Sequence, residues 1–172
     1  MRTRILFIVL LTNFFMLNLF AADKVDFSGE WAFNEEKSVL DENGTRFLPS
    51  IIKVTQKGND ITIEKTYQRE YEDDFIIEEK LTLDGKECES EIWNSPRIST
   101  ANWSEKGDTL TIATKISFER DGQTSEMVLN EAWILQEKDH GLSIKHFSSS
   151  SWGERKITMI FEKKEVQKES KE

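Results

Sequence analysis

One unit recurs three times along the chain, as Lys57-Gly58-Asn59-Asp60-Ile61-Thr62-Ile63, Lys106-Gly107-Asp108-Thr109-Leu110-Thr111-Ile112 and Lys138-Asp139-His140-Gly141-Leu142-Ser143-Ile144. Each copy is a glycine turn running into strict apolar/polar alternation, which is the pattern of a hairpin and not of a helix. Two Asp-Gly pairs, Asp84-Gly85 and Asp121-Gly122, mark further tight turns. Pro occurs only at Pro49 and Pro96, and the rest is rich in Ile, Thr, Val, Phe and Trp. Turn clusters fall about every 8–12 residues, the spacing of an all-β barrel or sandwich. The pattern predicts ten strands, near residues 27–34, 50–57, 61–69, 74–83, 86–94, 98–104, 109–119, 123–135, 142–148 and 155–163. Residues 35–49 read as the one non-strand connection, with Glu35 to Leu40 expected as a short helix or lid.

The first strand, Phe27-Ser28-Gly29-Glu30-Trp31-Ala32-Phe33-Asn34, sets the facing of the others. Phe27, Gly29, Trp31 and Phe33 share one parity and point inward, while Ser28, Glu30 and Ala32 point out. Gly29 leaves room for another chain segment, and Trp31 is wide enough to plug the end of a small barrel. A two-residue turn at Asp121-Gly122 pairs Ile116 with Met127, Ile112 with Glu131 and Leu110 with Trp133. Pairing Leu135 with Leu142 then sets Trp133 against Ile144 and Glu131 against His146. A turn at Asp84-Gly85 pairs Leu83 with Lys86, and the preceding hairpin pairs Ile61 with Leu83 and Lys65 with Glu79. The result is one apolar end, with Ile61, Leu83, Trp103, Leu110, Trp133, Leu135, Leu142 and Ile144. The other end is polar inside, with Lys65, Tyr67, Arg69, Glu79, Thr114, Glu131, His146 and Ser148.

Residues 1–22 read as a signal peptide rather than a signal anchor. Arg2 and Arg4 form the positive start, an apolar run from Ile5 is broken by Thr12, Asn13 and Asn18, and Leu19-Phe20-Ala21-Ala22 offers a cleavage site. No cysteine follows that site, so a lipid anchor is not indicated. Export to a periplasm or the medium is expected, leaving a barrel domain over residues 23–164 and a disordered charged tail over 165–172. The chain carries a formal charge of −9, which becomes −11 when Arg2 and Arg4 are removed. Acidic and basic residues are interspersed, so there is neither the basic stripe of a nucleic-acid binder nor an attraction to anionic membranes. A membrane span in the mature domain is not expected, and a monomer is. Cys88 is the single cysteine and reads as a small core side chain.

Gly29-Glu30-Trp31, a long first connection and the antiparallel meander together resemble the lipocalins and the wider calycin group. The longer stretch Phe27 to Ser38 resembles the opening of secreted bacterial lipocalin-like proteins, most of them without an assigned activity. The resemblance implies an up-and-down barrel whose tryptophan, here Trp31, closes the base under a basic residue of the last strand, here Lys163 or Lys164. Ten strands with a lid, and no helix after the last strand, are more similar to the fatty-acid-binding branch.

Within that barrel, Lys65 and Glu79, backed by Tyr67 and Arg69, are candidates to meet a polar head group, since a cation in a low-dielectric cavity holds an anion strongly. Their alternative role is mutual neutralisation. Trp103, Leu110, Trp133 and Ile144 are candidates to line an apolar tail. Glu131 with His146 completes the ligand-binding set, and it is also the one arrangement suited to acid–base chemistry. No nucleophile motif accompanies it, so no catalytic residue is assigned. His140 and His146 make no metal-ligand spacing, and no cofactor motif is recognisable. Trp93, Phe147 and Trp152 are expected near the mouth, and Asn43-Gly44-Thr45 and Asn102-Trp103-Ser104 match the glycosylation sequon. The expected function is binding of a small apolar or amphipathic ligand; a filled barrel acting as an interaction module is the alternative, with an enzyme third.

Overall fold

The structure is a computed structural model that describes residues 24–120, 122–136 and 141–164. The leader, the charged tail, Asp121 of one Asp-Gly turn and the turn holding His140 lie outside the described residues. Ten strands follow one another: β1 (Gly29–Val39), β2 (Ile51–Lys57), β3 (Asp60–Tyr67), β4 (Phe75–Thr82) and β5 (Cys88–Ile92), then β6 (Ser95–Trp103), β7 (Thr109–Arg120), β8 (Gln123–Gln136), β9 (Gly141–Ser150) and β10 (Gly153–Lys163). All pair antiparallel in one sheet, in the order β4-β3-β2-β1-β10-β9-β8-β7-β6-β5. The edges β4 and β5 approach each other without a ladder between them, so the barrel is nearly closed. This is the all-β, up-and-down antiparallel barrel that the sequence led us to expect.

The registers read from the turns hold on the β7–β8–β9 side: Ile112 faces Glu131, Leu110 faces Trp133 and Glu131 faces His146. On the other side two expectations are corrected. Ile61 pairs with Leu81 and Lys65 with Ile77, a shift of two residues from the predicted partners. A shift of two keeps every side chain on its face, so Lys65 and Glu79 still point inward. The Asp84-Gly85 turn, moreover, does not make a β4–β5 hairpin. The Gly85 amide donates to the Ala101 carbonyl of β6 (3.1 Å), and the chain steps across to start β5 at Cys88. Cys88 packs half-buried there, its Sγ 3.4 Å from the Thr82 amide.

The helix expected over Glu35–Leu40 is also corrected: β1 runs on to Val39, and among the described residues there is no helix. Asn34 pairs with Ile160 and Val39 with Thr158, so β1 advances five residues while β10 advances two. The local polar side chains hold this bulge. Asn34 Oδ1 accepts from the Lys37 amide (3.0 Å), and Ser38 Oγ donates to the Asn34 carbonyl (2.6 Å) and accepts from the Ile160 amide (2.9 Å). Short polar side chains that bond the backbone locally compete with helix in this way. Beyond it, residues 40–50 form a turned loop strapped down by Arg155 of β10. Its guanidinium grips the Asp41 carboxylate (3.1 Å) and the Gly44 and Arg46 carbonyls (2.8 and 2.9 Å).

The apolar end is solid. Residues 24–28 lie across it, the Val25 amide donating to the Gly107 carbonyl (3.1 Å). Phe27 is fully buried, stacked on Trp103 at 5.7 Å and edge-on to Trp133 at 5.9 Å. Trp31 is fully buried, its indole N–H donating to the Phe27 carbonyl (2.9 Å), and the Lys163 ammonium lies over its ring at 5.2 Å. Ile52, Ile61, Leu110, Leu142, Ile144, Met159 and Phe161 complete the packing. Gly29 has φ +144°, and a Cβ there would meet Lys163 Cε at 3.0 Å. We therefore expect Gly29→Ala to destabilise the protein by about 1–3 kcal/mol, from backbone strain and displacement of Lys163. Urea unfolding followed by tryptophan fluorescence measures it.

Candidate functional site

Above this floor the barrel holds a cavity of about 70 Å³. Its lining is mixed: Ile63, Ile77, Ile92, Ile112, Ile116 and Leu129 are apolar, and Lys65, Tyr67, Glu79, Arg97, Thr114 and Glu131 are polar. Alternation along the strands turns both sets inward, and within single strands they are interleaved: Glu79 lies between Ile77 and Leu81 on β4, and Thr114 between Ile112 and Ile116 on β7.

Two charge pairs dominate the polar lining. Lys65 Nζ donates to both oxygens of Glu131 (2.9 and 2.8 Å), with side chains only 16% and 8% exposed. Glu131 also accepts from the Trp133 indole N–H (3.0 Å) and, at 3.2 Å, from His146 Nδ1. Both of its oxygens are committed, which makes it the anchor of a buried network and leaves it no lone pair suited to taking a proton from a substrate. Burial alone would push the Lys65 pKa down, but the charge of Glu131, with Tyr67 and Glu79, carries it above the ordinary 10.5. Burial alone would raise Glu131 above 4.5, but the Lys65 charge and the hydrogen bonds from His146 and Lys65 hold it well below. Burial pushes the Tyr67 hydroxyl up, so it stays a neutral donor.

The second pair straddles the gap in the wall. Arg97, 4% exposed, lies with its Nε 3.7 Å from Glu79 Oε1. The same Nε donates to Ser90 Oγ (2.8 Å), and Nη2 donates to the Glu78 carbonyl (3.0 Å) on the free edge of β4. Ser99 donates to Glu79 and shares a 2.9 Å hydrogen bond with Thr114. Side chains thus join β4 to β6 where no backbone ladder does. Sequence reasoning missed Arg97. A sixth strand expected near residues 98–104 leaves Arg97 outside it; the strand begins at Ser95, after a two-residue turn at Trp93-Asn94, both at positive φ (50° and 61°). The parity of Arg97 with Ser99 and Ala101 was the available signal.

The remaining sequence candidates separate from the cavity. Arg69 falls in the loop after β3, exposed, paired with Glu72 and stacked over Phe75 at 4.5 Å. The inward alternation ends at Tyr67, whose ring stacks on Phe75 at 5.0 Å. Trp103 and Trp133 belong to the packed floor, Trp133 fully buried and the Trp103 indole N–H without a hydrogen-bond partner among the described residues. His146 stands behind Glu131 and does not line the cavity. Among the described residues no group of three or more His, Cys, Asp or Glu is placed to hold a metal, and no helix is long and apolar enough to cross a membrane.

The Lys65–Glu131 pair makes stability depend on pH in a defined way. Glu131 has its folded pKa below the unfolded value, so its contribution is complete above about pH 4.5 and fades as pH falls. Lys65 has its folded pKa raised, so its contribution is complete below about pH 10.5 and fades as pH rises. Removing one partner strands a buried charge: Glu131→Leu should cost about 3–5 kcal/mol. The double variant Lys65→Met/Glu131→Leu should recover at least half of that loss and flatten the acid limb. Urea midpoints between pH 3 and pH 9 report both effects.

Comparison with protein-family models and with curated proteins finds no match. Among solved structures the chain is similar to zebrafish ileal bile acid-binding protein, in a crystal structure of its complex with cholic acid. The identity is 14%, the match covers 80% of this chain and 98% of that one, and the TM-score is 0.43. A likeness at that level says nothing about what this chain binds.

Proposed function

We propose that this protein is an exported barrel that binds a small apolar or amphipathic molecule inside its cavity. The observation that carries the reading is the mixed lining, in which Ile63, Ile77, Ile112, Ile116 and Leu129 share one cavity with Lys65, Tyr67, Glu79, Arg97 and Glu131. Apolar contact supplies affinity at about 25 cal/mol per Å² buried, and the polar groups orient the occupant. The cavity volume of about 70 Å³ favours a small occupant over a long-chain or polycyclic one. Export is supported by the sequence of residues 1–22 alone. The mass of the mature protein recovered from periplasm or medium should correspond to a start at Asp23 or a neighbouring residue, and an intact leader on that material would overturn it.

A second reading has its own observations: the volume is below the roughly 300–1,000 Å³ common for ligand pockets, and Phe47, Tyr71, Trp93 and Trp152 are 64–90% exposed. All four stand on connections at the polar end. In that reading the barrel is a filled scaffold whose rim docks a partner. Methyl NMR separates the two. Small apolar probes such as benzene should shift the methyls of Ile63, Ile112, Ile116 and Leu129 saturably, and Leu129→Trp should weaken that binding at least tenfold without loss of fold. Methyls that do not respond at any concentration favour the filled scaffold.

A further inference from the structure

The charges inside the cavity determine which polar group its occupant carries. Two cations, Lys65 and Arg97, face two carboxylates, Glu131 and Glu79, each pair in contact at 2.8 and 3.7 Å. The interior is therefore balanced before any ligand enters. A carboxylate ligand would add a third anion where both cations are already engaged, and an ammonium would add a third cation. Either leaves a net buried charge, the arrangement a low-dielectric interior penalises most.

What the lining still offers is neutral hydrogen bonding. Among the described residues, nothing hydrogen-bonds the Tyr67 hydroxyl, Arg97 engages through Nε and Nη2 but not Nη1, and Glu79 engages through Oε1 but not Oε2. One free acceptor thus sits among free donors on residues lining one cavity. A hydroxyl or a primary amide answers both kinds at once, donating to Glu79 and accepting from Tyr67 or Arg97.

Resting on the ligand-binding reading above, we propose that the cavity selects small uncharged molecules whose single polar group, a hydroxyl or primary amide, both donates and accepts. Charged analogues of the same length are excluded by the balanced pairs.

The test is a titration of the intact mature protein, by methyl NMR, with 1-pentanol, pentanamide, pentanoate, pentylammonium, zwitterionic 5-aminopentanoate and benzene. The alcohol and amide should bind at least about tenfold more tightly than any charged member, tenfold being 1.4 kcal/mol. Tyr67→Phe should weaken 1-pentanol by about 2–10-fold while leaving benzene unchanged. Glu79→Gln keeps the shape and the contact with Ser99 but leaves Arg97 in surplus, so pentanoate should gain at least tenfold. Pentanoate, pentylammonium or 5-aminopentanoate binding the wild type as well as the alcohol would overturn the proposal. So would benzene binding while the alcohol and amide do not, which would leave the ligand-binding reading standing. No response to any compound, benzene included, would overturn that reading and the proposal with it. The wild-type panel decides the question even if a variant fails to fold.

Discussion

The ladder between β1 and β10 is the constraint on which the molecule depends. Every other ladder joins strands adjacent in sequence, and this one joins the two ends of the chain. It brings a four-stranded meander (β1–β4) against a six-stranded one (β5–β10), so that the apolar faces of both curl around a common interior. The strand that makes it also carries Trp31, so closing the sheet and plugging its floor are one event. Lys163 lies over that ring and its stem crosses Gly29, which is why the position has no side chain. Non-local pairing of this kind is entropically costly to nucleate, and Ser38 extends it past a bulge that would otherwise end it.

The opposite side of the barrel shows the converse. β4 and β5 are neighbours in sequence yet carry no ladder. Their edges are joined by polar side chains from inside: Arg97 to the Glu78 carbonyl and Ser90, Ser99 to Glu79. Buried polar groups are tolerated only when partnered, and here the partnering closes the wall. Arg97 and Glu79 also line the cavity, so wall integrity and the proposed ligand recognition share those two side chains. A backbone ladder would have sealed the wall without leaving charge beside the cavity.

The candidate site is therefore a by-product of how the barrel is held together as much as a pocket added to it. Lys65 and Glu131 span the interior from β3 to β8, and Arg97 and Glu79 span the gap. Glu131 is saturated by Lys65, Trp133 and His146. What remains open is neutral hydrogen-bonding capacity on Tyr67, Arg97 and Glu79 among the isoleucines of the cavity, which is the basis of the proposed preference for polarity without charge.

Alternation and turn chemistry determined much of this from the sequence alone. Ten strands, the facing of Lys65, Tyr67, Glu79 and Glu131, the Glu131–His146 pairing and the tryptophan floor all follow from period-two patterning and glycine turns, which act over a few residues. Where long-range contacts outweighed local preference, only the tertiary structure decided. It drew Glu35–Val39 into a strand because β10 offers hydrogen bonds that an isolated helix of that length cannot match. It left β4 and β5 unpaired because Gly85 bonds across to Ala101, and it turned Arg97 inward by starting β6 at Ser95. Cavity size was likewise beyond the sequence, because volume depends on how ten strands pack together and not on which face each residue takes.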